Sequence, residues 1–307
     1  MMNPYKEVKN LSLIVQPGDS FFPIVTAIDS ATHSINMTIF RMDDPVVRDA
    51  LSNAVSRGVT VRTLIASKSK GWIKRNKKLS GELSNMGVEV RSPSDTNGSE
   101  LKRYHYKILT VDDACSLILT FNPTQKNLHY ARDYGLLIRD HDITIELNRL
   151  FNADWEGNEF TPVNTPLVIS PFDSRDKLTE LLESGERSIR IMDAKVQDPD
   201  IKALLLRKAR SGCDVKIITR DSVFSDGAPN FRIRRFTKYK LHAKCIVVDT
   251  LRFFIGSQNL RGVSIDRRRE VGVIVEDDSI ARKIERIFDE DWAAAEQVAG
   301  RTAESVS

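Results

Sequence analysis

The stretch from His242 to Asn259 reads H-A-K-C-I-V-V-D-T-L-R-F-F-I-G-S-Q-N, and the stretch from His105 to Asn122 matches it at the same spacing. The matched positions pair as follows: His105 with His242, Lys107 with Lys244, Asp112 with Asp249, Thr120 with Ser257, and Asn122 with Asn259. In every pair the two residues lie 137 positions apart. Two of the five histidines therefore occupy equivalent places in an internal duplication.

The repeat continues on both sides of these two motifs. Downstream, Arg132-Asp133-Tyr134-Gly135 matches Arg269-Glu270-Val271-Gly272 at the same offset. Upstream, the segments that end at Pro45 and at Pro199 match at an offset of 154 residues, so the first half carries 17 extra residues before its motif. A repeat of this length indicates a duplicated domain, because solenoid units recur every few tens of residues.

Each half shows the same alternation of helices and strands. In the first half, helices are predicted over 20–32 and 45–58, and strands over 35–42, 59–65, 106–111, 116–121 and 135–138. In the second half, helices are predicted over 173–184 and 199–210, and strands over 189–196, 215–219, 243–248, 253–257 and 272–275. A closing helix ends each half, at Asp154-Trp155 or at Asp291-Trp292. This alternation predicts an α/β fold with two layered domains.

We expect the two domains to be related by a pseudo-twofold axis, each with a mostly mixed sheet flanked by helices. Their expected bounds are residues 1–160 and 167–307. The segment between them, E-F-T-P-V-N-T-P from Glu159 to Pro166, contains two prolines, which disfavour a helix. The axis should bring His105 and His242 together at one site.

The composition is that of an ordinary globular protein. The chain has 307 residues, of which 41% are hydrophobic and 29% charged, and its net charge of +4 is too small to indicate nucleic-acid binding by itself. Its three cysteines are far apart, which favours reduced core residues. The sequence lacks both a membrane-spanning apolar run and a secretory h-region. We therefore expect a cytoplasmic protein that can also associate peripherally with a membrane. We also expect a monomer.

A paired set of His, Lys and Asn residues suits phosphoryl transfer. One imidazole can attack phosphorus while the other protonates the leaving oxygen. On a strand, residues two apart share a face, so each histidine should lie beside the lysine of its own motif. That like charge lowers the imidazole pKa and favours the neutral nucleophile. The Lys and Asn side chains, with the hydroxyls of Thr120 and Ser257, can donate to phosphoryl oxygens.

The pattern H-x-K-x4-D-x6-G-S-x-N resembles the HKD signature of the phospholipase D superfamily. The second motif fits it at every position, and the first departs only at Leu119, where the family has glycine. The resemblance covers nearly the whole chain, including both R-[DE]-x-G segments and both D-W helix ends. Among bacterial members, the chain looks most like compact two-motif proteins grouped with cardiolipin synthases and phospholipases D.

The resemblance also implies roles for individual residues. It implies a covalent phosphohistidine on His105, with His242 as general acid, and it implies no metal and no cofactor. The acid of each half is expected to serve the histidine of the other, so Glu270 should lie near His105 and Asp133 near His242. The carboxylate would hold the proton on the second ring nitrogen. Four residues are expected behind the groups that touch substrate: Asp112, Asp249, Thr120 and Ser257.

Two basic runs flank the motifs. The first extends from Lys68 to Lys78 and the second from Phe231 to Lys240. Cations with interleaved aromatics suit either an anionic lipid surface or a single nucleic-acid strand. The first run lies in the segment unique to the first half, so we expect it to form a specificity loop or lid. The candidate substrate-binding residues are Trp72, Lys74, Arg75, Arg235 and Lys240.

Three functions remain open from the sequence. The favoured one is a phosphodiesterase that hydrolyses or transfers the phosphatidyl group of phospholipids, with peripheral contact to an anionic membrane surface. The second is an HKD nuclease acting on DNA or RNA, supported by the basic runs. The third is a non-catalytic phosphate-binding scaffold, which the two intact His/Lys pairs disfavour.

Overall fold

The structure is a computed structural model that describes residues 8, 10–66, 69, 71–92, 104–163, 165–220 and 228–297. The described strands of the first half are β1 (Leu11–Gln16), β2 (Ser34–Ile39), β3 (Thr60–Ile65), β4 (Glu89–Arg91), β5 (Ile108–Val111), β6 (Cys115–Leu119) and β7 (Ala131–Ile138). Its described helices are α1 (Phe22–Asp29), α2 (Pro45–Ser56), α3 (Ile73–Asn85), α4 (Gln125–Tyr130) and α5 (His141–Glu156).

The second half repeats this sequence of elements. Its described strands are β8 (Leu167–Ser170), β9 (Ser188–Asp193), β10 (Asp214–Thr219), β11 (Phe231–Arg235), β12 (Lys240–Leu241), β13 (Lys244–Val248), β14 (Arg252–Gly256), β15 (Glu270–Glu276) and β16 (Glu296–Gln297). Its described helices are α6 (Ser174–Glu183), α7 (Pro199–Arg210), α8 (Gly262–Asp266) and α9 (Asp278–Ala293).

Each half builds one mixed sheet, and the two strand orders correspond. The first sheet has the order β1-β7-β6-β5-β2-β3-β4, and the second has β8-β15-β14-β13-β9-β10-β11, with β16 added at its edge. In both sheets the last three of these strands are parallel and the others antiparallel. The expected fold class, two duplicated α/β units, is therefore confirmed.

The repeated Asp-Pro pairs start equivalent helices. The Asp44 carboxylate caps α2 by accepting a hydrogen bond from the Val47 amide, and Asp198 caps α7 through the Ile201 amide. Proline follows each cap at the first helical position, where its missing N–H costs nothing. These two helices begin where the sequence predicts.

The apolar core has three large parts. One cluster lies within the first half and contains Ile35, Leu51 and Leu117; another lies within the second half and contains Leu182, Ile191 and Phe254. The third joins the halves, since it includes residues of α5, α9 and both sheets. Because burial of apolar surface is the main favourable term in folding, this shared cluster fixes the two sheets relative to each other.

Several elements differ from the prediction. The edge strands β1 and β8 were not predicted, and neither was β11, which forms from part of the second basic run. The first basic run mostly enters α3 rather than a loop or lid. Leu79 and Leu83 of α3 are buried, and Asn76 donates to the carbonyls of Phe40 and Ala66. The helix is thus fastened to the body of the protein, while Lys68 and Lys70 lie outside the described residues.

The chain of each half crosses to the sheet of the other just before its motif. Strand β12 pairs in parallel with β7 of the first sheet, and Tyr104 forms the equivalent bridge with Arg269 at the start of the second sheet's β15. The residue that follows each crossing is a motif histidine. The His105 amide donates to the Arg269 carbonyl at 2.9 Å, and the His242 amide donates to the Arg132 carbonyl at 3.1 Å.

Candidate active site

Both motif histidines sit in the crossing segments rather than on regular strands. His105 and Lys107 precede β5, and His242 lies between β12 and β13. The prediction that strands begin at Tyr106 and Ala243 is therefore wrong by one or two residues, because the backbone of each histidine bonds to the opposite half. The crossing aims each imidazole at the acid that follows the bonded arginine.

The structure pairs each histidine with the acid of the other half. His105 Nδ1 lies 2.9 Å from Glu270 Oε2, and His242 Nδ1 lies 2.9 Å from Asp133 Oδ1. Both carboxylates are buried, whereas the imidazoles retain 16% and 24% of their side-chain exposure. A carboxylate on Nδ1 holds a proton there, so Nε2 of each ring remains the nitrogen available to a reactant.

Polar neighbours fix the two acids in turn. Asp133 accepts hydrogen bonds from the Thr120 hydroxyl at 2.7 Å and from Asn127 Nδ2 at 2.8 Å. A hydrogen bond from the Ser257 hydroxyl helps to lower the pKa of Glu270. Thr120 and Ser257 are fully buried. The two hydroxyls therefore contact the acids from behind, which is where the sequence predicts Thr120 and Ser257, and they do not face a position that a phosphoryl group could take.

Each motif lysine folds back toward the histidine of its own motif. Lys107 Nζ donates to the His105 carbonyl and lies 3.4 Å from His105 Nδ1, and Lys244 has the same two contacts with His242. Nδ1 of each histidine carries a proton that it donates to a carboxylate, so it cannot accept a hydrogen bond from the lysine. Each lysine Nζ is therefore held by its bond to the histidine carbonyl. Lys244 Nζ also donates to the Thr120 carbonyl of the first half at 3.3 Å. Both lysines are buried.

The electrostatics of the site keep both imidazoles neutral and both acids ionised. Burial lowers the pKa of His105 to about 3 and that of His242 to about 4, against the raising effect of each partner acid. Each imidazole also feels the lysines of both motifs, so the two pairs form one charge cluster. Burial alone would raise the pKa of Asp133, but His242 and Lys244 hold it below its ordinary value.

Burial likewise lowers the pKa of Lys107 to about 7, and it lowers the pKa of Lys244 as well. Glu270 raises the pKa of Lys107, while Lys244 lowers it further. A buried ammonium whose proton is loosely held is sensitive to any anion placed beside it. A bound phosphodiester would therefore favour the charged lysines.

The arginines before the two acids make a second crossed arrangement, which the sequence did not reveal. Arg132 binds Asp291 of α9 through two bonds of 2.6 and 3.0 Å. Arg269 binds Asp154 of α5, which also accepts from the Tyr106 hydroxyl at 2.7 Å. The Arg132–Asp291 pair is bidentate, and buried charge-assisted hydrogen bonds of both pairs fix geometry strongly. The D-W helix ends therefore lock the acid-bearing strands across the halves.

The two motif asparagines differ in their contacts. Asn122 Oδ1 accepts from the amides of Phe40 and Arg41. Asn259 Nδ2 instead donates to Asp193 Oδ1 at 2.6 Å, and Asp193 also accepts from the amides of Leu260 and Lys195. Asp193 is buried, which raises its pKa to about 6 despite these hydrogen bonds. The matching position of the first half is Ile39, so the repeat gave no signal for this acid.

The motif aspartates lie away from the reacting groups. Asp112 accepts from the backbone amides of Thr32, His33 and Ser34. Asp249 accepts in the same way from the amides of Glu186, Arg187 and Ser188. Both residues have a positive φ, at 45° and 54°. Each aspartate thus anchors its turn to the start of a parallel strand.

Leu119 fits at the glycine position of the first motif because its neighbours have changed. Leu119 faces Gly135 across β6 and β7, and a Cβ on Gly135 would lie 2.7 Å from the leucine side chain. In the second half, Gly256 faces Gly272, and the space is filled by Phe254 and Gln258. The substitution therefore alters packing behind the motif and leaves His105 and Lys107 unaffected.

A series of ring and cation–π contacts links the first basic run to His105. Phe40 packs edge-on against His105 with ring centroids 4.8 Å apart. The Arg41 guanidinium lies 5.3 Å from the Phe40 ring and 5.6 Å from the Trp72 ring. Arg75 stacks on Trp72 at 5.0 Å, and Lys74 is exposed on α3. The structure thus connects Trp72 and Arg75 to the histidine.

The second basic run borders a pocket of about 860 Å³ beside the second motif. Arg235 and Lys240, both candidates from the sequence, line it together with Arg220, Lys238 and Tyr239. His129 and Tyr130 of α4 form the wall contributed by the first half. Burial lowers the pKa of Lys240, and the charges of Lys126, Arg220 and Arg41 lower it further, against Asp133.

The described residues show three further properties. Across the described ranges, no group of three or more His, Cys, Asp and Glu side chains is arranged to hold a metal ion. Each helix in the described part of the chain is too short or too polar to cross a bilayer. All three cysteines are buried and unpaired, as the sequence predicts.

Residues 24–155 and 178–292 match the family described as "Cardiolipin synthase, PLD-like domain". Polyphosphate kinase from Mycolicibacterium gilvum is 25% identical over 90% of this chain, and cardiolipin synthase 1 from Bacillus cereus is 24% identical over 96%. The chain covers 41% of the former and 69% of the latter, so it spans about two fifths of the polyphosphate kinases that it matches. Phosphatidylserine synthase from Haemophilus influenzae has the same fold, with a TM-score of 0.70 and 12% identity over 95% of this chain and 88% of its own.

Proposed function

This chain belongs to the phospholipase D superfamily, in the family of PLD-like domains described as cardiolipin synthase, and we propose that it hydrolyses or transfers a phosphatidyl group. The observation that carries the proposal is the crossed pairing of His105 with Glu270 and of His242 with Asp133. Two imidazoles with free Nε2 atoms, in one cluster with two buried lysines, supply a nucleophile, an acid and cationic donors for one phosphodiester.

The proposed reaction has two displacements. Before the first, His242 takes up a second proton from solvent at Nε2 when the anionic phosphodiester binds beside it. His105 Nε2 then attacks phosphorus, the bond from phosphorus to the leaving oxygen breaks, and His242 gives this Nε2 proton to that oxygen. Glu270 stabilises the positive ring of the phosphohistidine through Nδ1–H. In the second, water or an alcohol attacks phosphorus while His242 takes its proton, the phosphorus–nitrogen bond breaks, and His105 returns to its neutral form.

The unequal environments of the two imidazoles support this division of roles. His105 has the lower pKa, about 3, and the apolar Phe40 ring packs against it. His242 has a pKa of about 4 and Ala194 at the position that matches Phe40. The apolar ring against His105 and its absence at His242 favour His242 as the ring that takes up a proton, as a general acid requires. Lys107, Lys244 and the motif asparagines would hold the nonbridging oxygens.

We favour a phospholipid substrate because both the family and the Bacillus cereus relative are described as cardiolipin synthases, and cardiolipin is a phospholipid. Trp72 and the cations on α3 would contact an anionic membrane surface. One observation favours a nuclease as the second candidate, namely the cationic pocket beside His242, which suits a strand with several phosphates. The polyphosphate kinase relatives raise polyphosphate as a further phosphoryl source to be tested.

The decisive assay offers all three substrates in parallel. The protein is incubated in EDTA with vesicles of phosphatidylglycerol, with single-stranded DNA and with polyphosphate, and products are identified by mass spectrometry. We expect phosphatidic acid or cardiolipin from the vesicles, without added metal. Cleavage of DNA alone would establish the nuclease, and activity that requires a divalent ion would contradict the proposed chemistry. Lys107→Met, which removes the motif cation, should abolish whichever activity is found.

A further inference from the structure

The described residues that line the pocket beside the second motif concentrate positive charge. Arg220, Arg235, Lys238 and Lys240 all line it. Among the described residues, no carboxylate lies within ion-pair distance of Arg220, Arg235 or Lys240. Other arginines of this protein are held by acids, as Arg132 is by Asp291 and Arg175 is by Asp198. Unbalanced cations that share a concave surface favour an anionic ligand.

Lys240 brings this pocket close to the reacting groups. Lys240 precedes His242 by two residues on an extended segment, so both side chains leave the same face, whereas Leu241 between them is fully buried. Two residues of extended chain span about 7 Å. Asp133, which holds His242, also acts on the charge of Lys240. An anion in the pocket would therefore sit next to a phosphoryl group engaged by His242.

The pocket lies on the side of His242, and this position indicates which part of the substrate the pocket would contact. Under the proposed function, His242 protonates the leaving oxygen and later deprotonates the incoming one. Both oxygens belong to the alcohol, not to the phosphoryl group carried by His105. We propose that the pocket is a second phosphate-binding site, which holds a phosphate carried by the alcohol that leaves or accepts the phosphatidyl group. This inference rests on the proposed function for the identity of the alcohol, but the binding itself does not.

The first test measures how the covalent intermediate divides between acceptors. Bis(p-nitrophenyl) phosphate serves as donor in EDTA, with glycerol and glycerol 3-phosphate present at equal concentration. We expect transfer to glycerol 3-phosphate to exceed transfer to glycerol by about tenfold or more, since one hydrogen bond to a charged group contributes about that factor. Arg235→Ala should bring the ratio close to one. Arg232→Ala is the matched control, because Arg232 lies on the same strand but pairs with Asp214, and it should keep the wild-type ratio.

A ratio near one in the wild-type protein, or an unchanged ratio in Arg235→Ala, would overturn the inference while leaving the phosphodiesterase intact. If the donor is not cleaved at all, the proposed function fails, and calorimetric titration with glycerol 3-phosphate tests the pocket alone. Binding that Arg235→Ala weakens about tenfold and His105→Gln retains supports the site; loss of binding in His105→Gln alone contradicts it. Displacement by phosphatidylglycerol vesicles or by a short single-stranded oligonucleotide then assigns the phosphate to lipid or nucleic acid, and displacement by neither counts against the site.

Discussion

Glu270 Oε2 lies 2.9 Å from His105 Nδ1, although the two residues are 165 positions apart in the chain and belong to different halves. Asp133 and His242 repeat the relationship at the same distance. Each half therefore supplies the imidazole of one pair and the carboxylate of the other. Neither half contains a complete pair by itself, so the two halves of the chain have to pack against each other before either histidine is oriented.

Replacement of Glu270 by glutamine should reduce kcat by about 10³-fold or more. A neutral amide does not keep the His105 proton on Nδ1 as a carboxylate does, and it does not stabilise the positively charged ring of the phosphohistidine. Folding should change much less, since the shape is kept and Lys107, with a pKa of about 7, can release its proton. Steady-state kinetics and thermal unfolding measure the two effects. Asp291→Asn, which removes a buried acid that pairs with Arg132, is the matched control. It should lower Tm, and its loss of kcat should be much smaller than that of Glu270→Gln. Equal losses of kcat in both variants would contradict a specific role for Glu270.

Replacement of Asp193 by asparagine should lower kcat/KM by about tenfold. The new amide cannot accept hydrogen bonds from Asn259, Leu260 and Lys195 at once, so Asn259 shifts. Since Asp193 has a pKa of about 6, the wild-type rate should also change as pH crosses that value, and the variant should lose that step. A pH–rate profile that keeps the step in Asp193→Asn would show that another group titrates there. Asp112→Asn, at a turn far from the histidines, tests for a general effect of losing a carboxylate.

The histidines should make the protein less stable in acid. Their folded-state pKa values, about 3 and about 4, lie below the value near 6.5 of an unfolded chain. The unfolded state therefore binds more protons between these limits, and stability is lost as pH falls from about 6.5 toward the folded pKa. Each histidine contributes up to about 1.4 kcal/mol per pH unit to that slope. Urea unfolding of wild type and His105→Gln from pH 6.5 to 4.5 measures it, and an unchanged slope in the variant would argue that His105 is protonated in the folded protein.

Two glycine substitutions should change stability in opposite directions. A Cβ on Gly272 would lie 2.3 Å from the Phe254 ring, so Gly272→Ala should destabilise the fold by about 1–3 kcal/mol. A Cβ on Gly81 of α3 meets nothing within 4 Å, so Gly81→Ala should stabilise it by about 0.5–1 kcal/mol. Denaturant unfolding of the two variants is the measurement. Stabilisation by Gly272→Ala would mean that β14 and β15 are less closely packed than described.

The sequence predicted those parts of the fold that the repeat or a local signal marks. Helix α7 follows its Asp-Pro cap and ends at the residue before Ser211, as predicted. The edge strand β8 has four residues and no alternating pattern of its own. It forms because β15 offers an unpaired edge, which is a tertiary cause. Helix α3 was predicted as a loop because its apolar stripe is narrow, with Leu79 and Leu83 buried and most other positions charged or polar.

The sequence indicated the reacting groups of the candidate site but not what orients them. The duplicated motifs and the family resemblance together led to the histidines and their crossed acids. The arginine pairs with Asp154 and Asp291 depend on the crossing of the halves, which no local pattern encodes. The sequence did not indicate Asp193 because the matching residue of the first half, Ile39, is apolar. Comparison of matching positions cannot reveal a polar group that only one half contains.

The most direct test of the central claim is to trap and map the covalent intermediate. The protein is mixed with a radiolabelled phosphodiester substrate, quenched at alkaline pH to preserve a phosphoramidate, and digested for peptide mapping. We predict label on the peptide that contains His105, no label in His105→Gln, and accumulated label in a His242→Asn variant supplied with a p-nitrophenyl ester, whose leaving group needs no acid. Label on His242 would reverse the two roles, and turnover without label on either histidine would contradict the covalent mechanism.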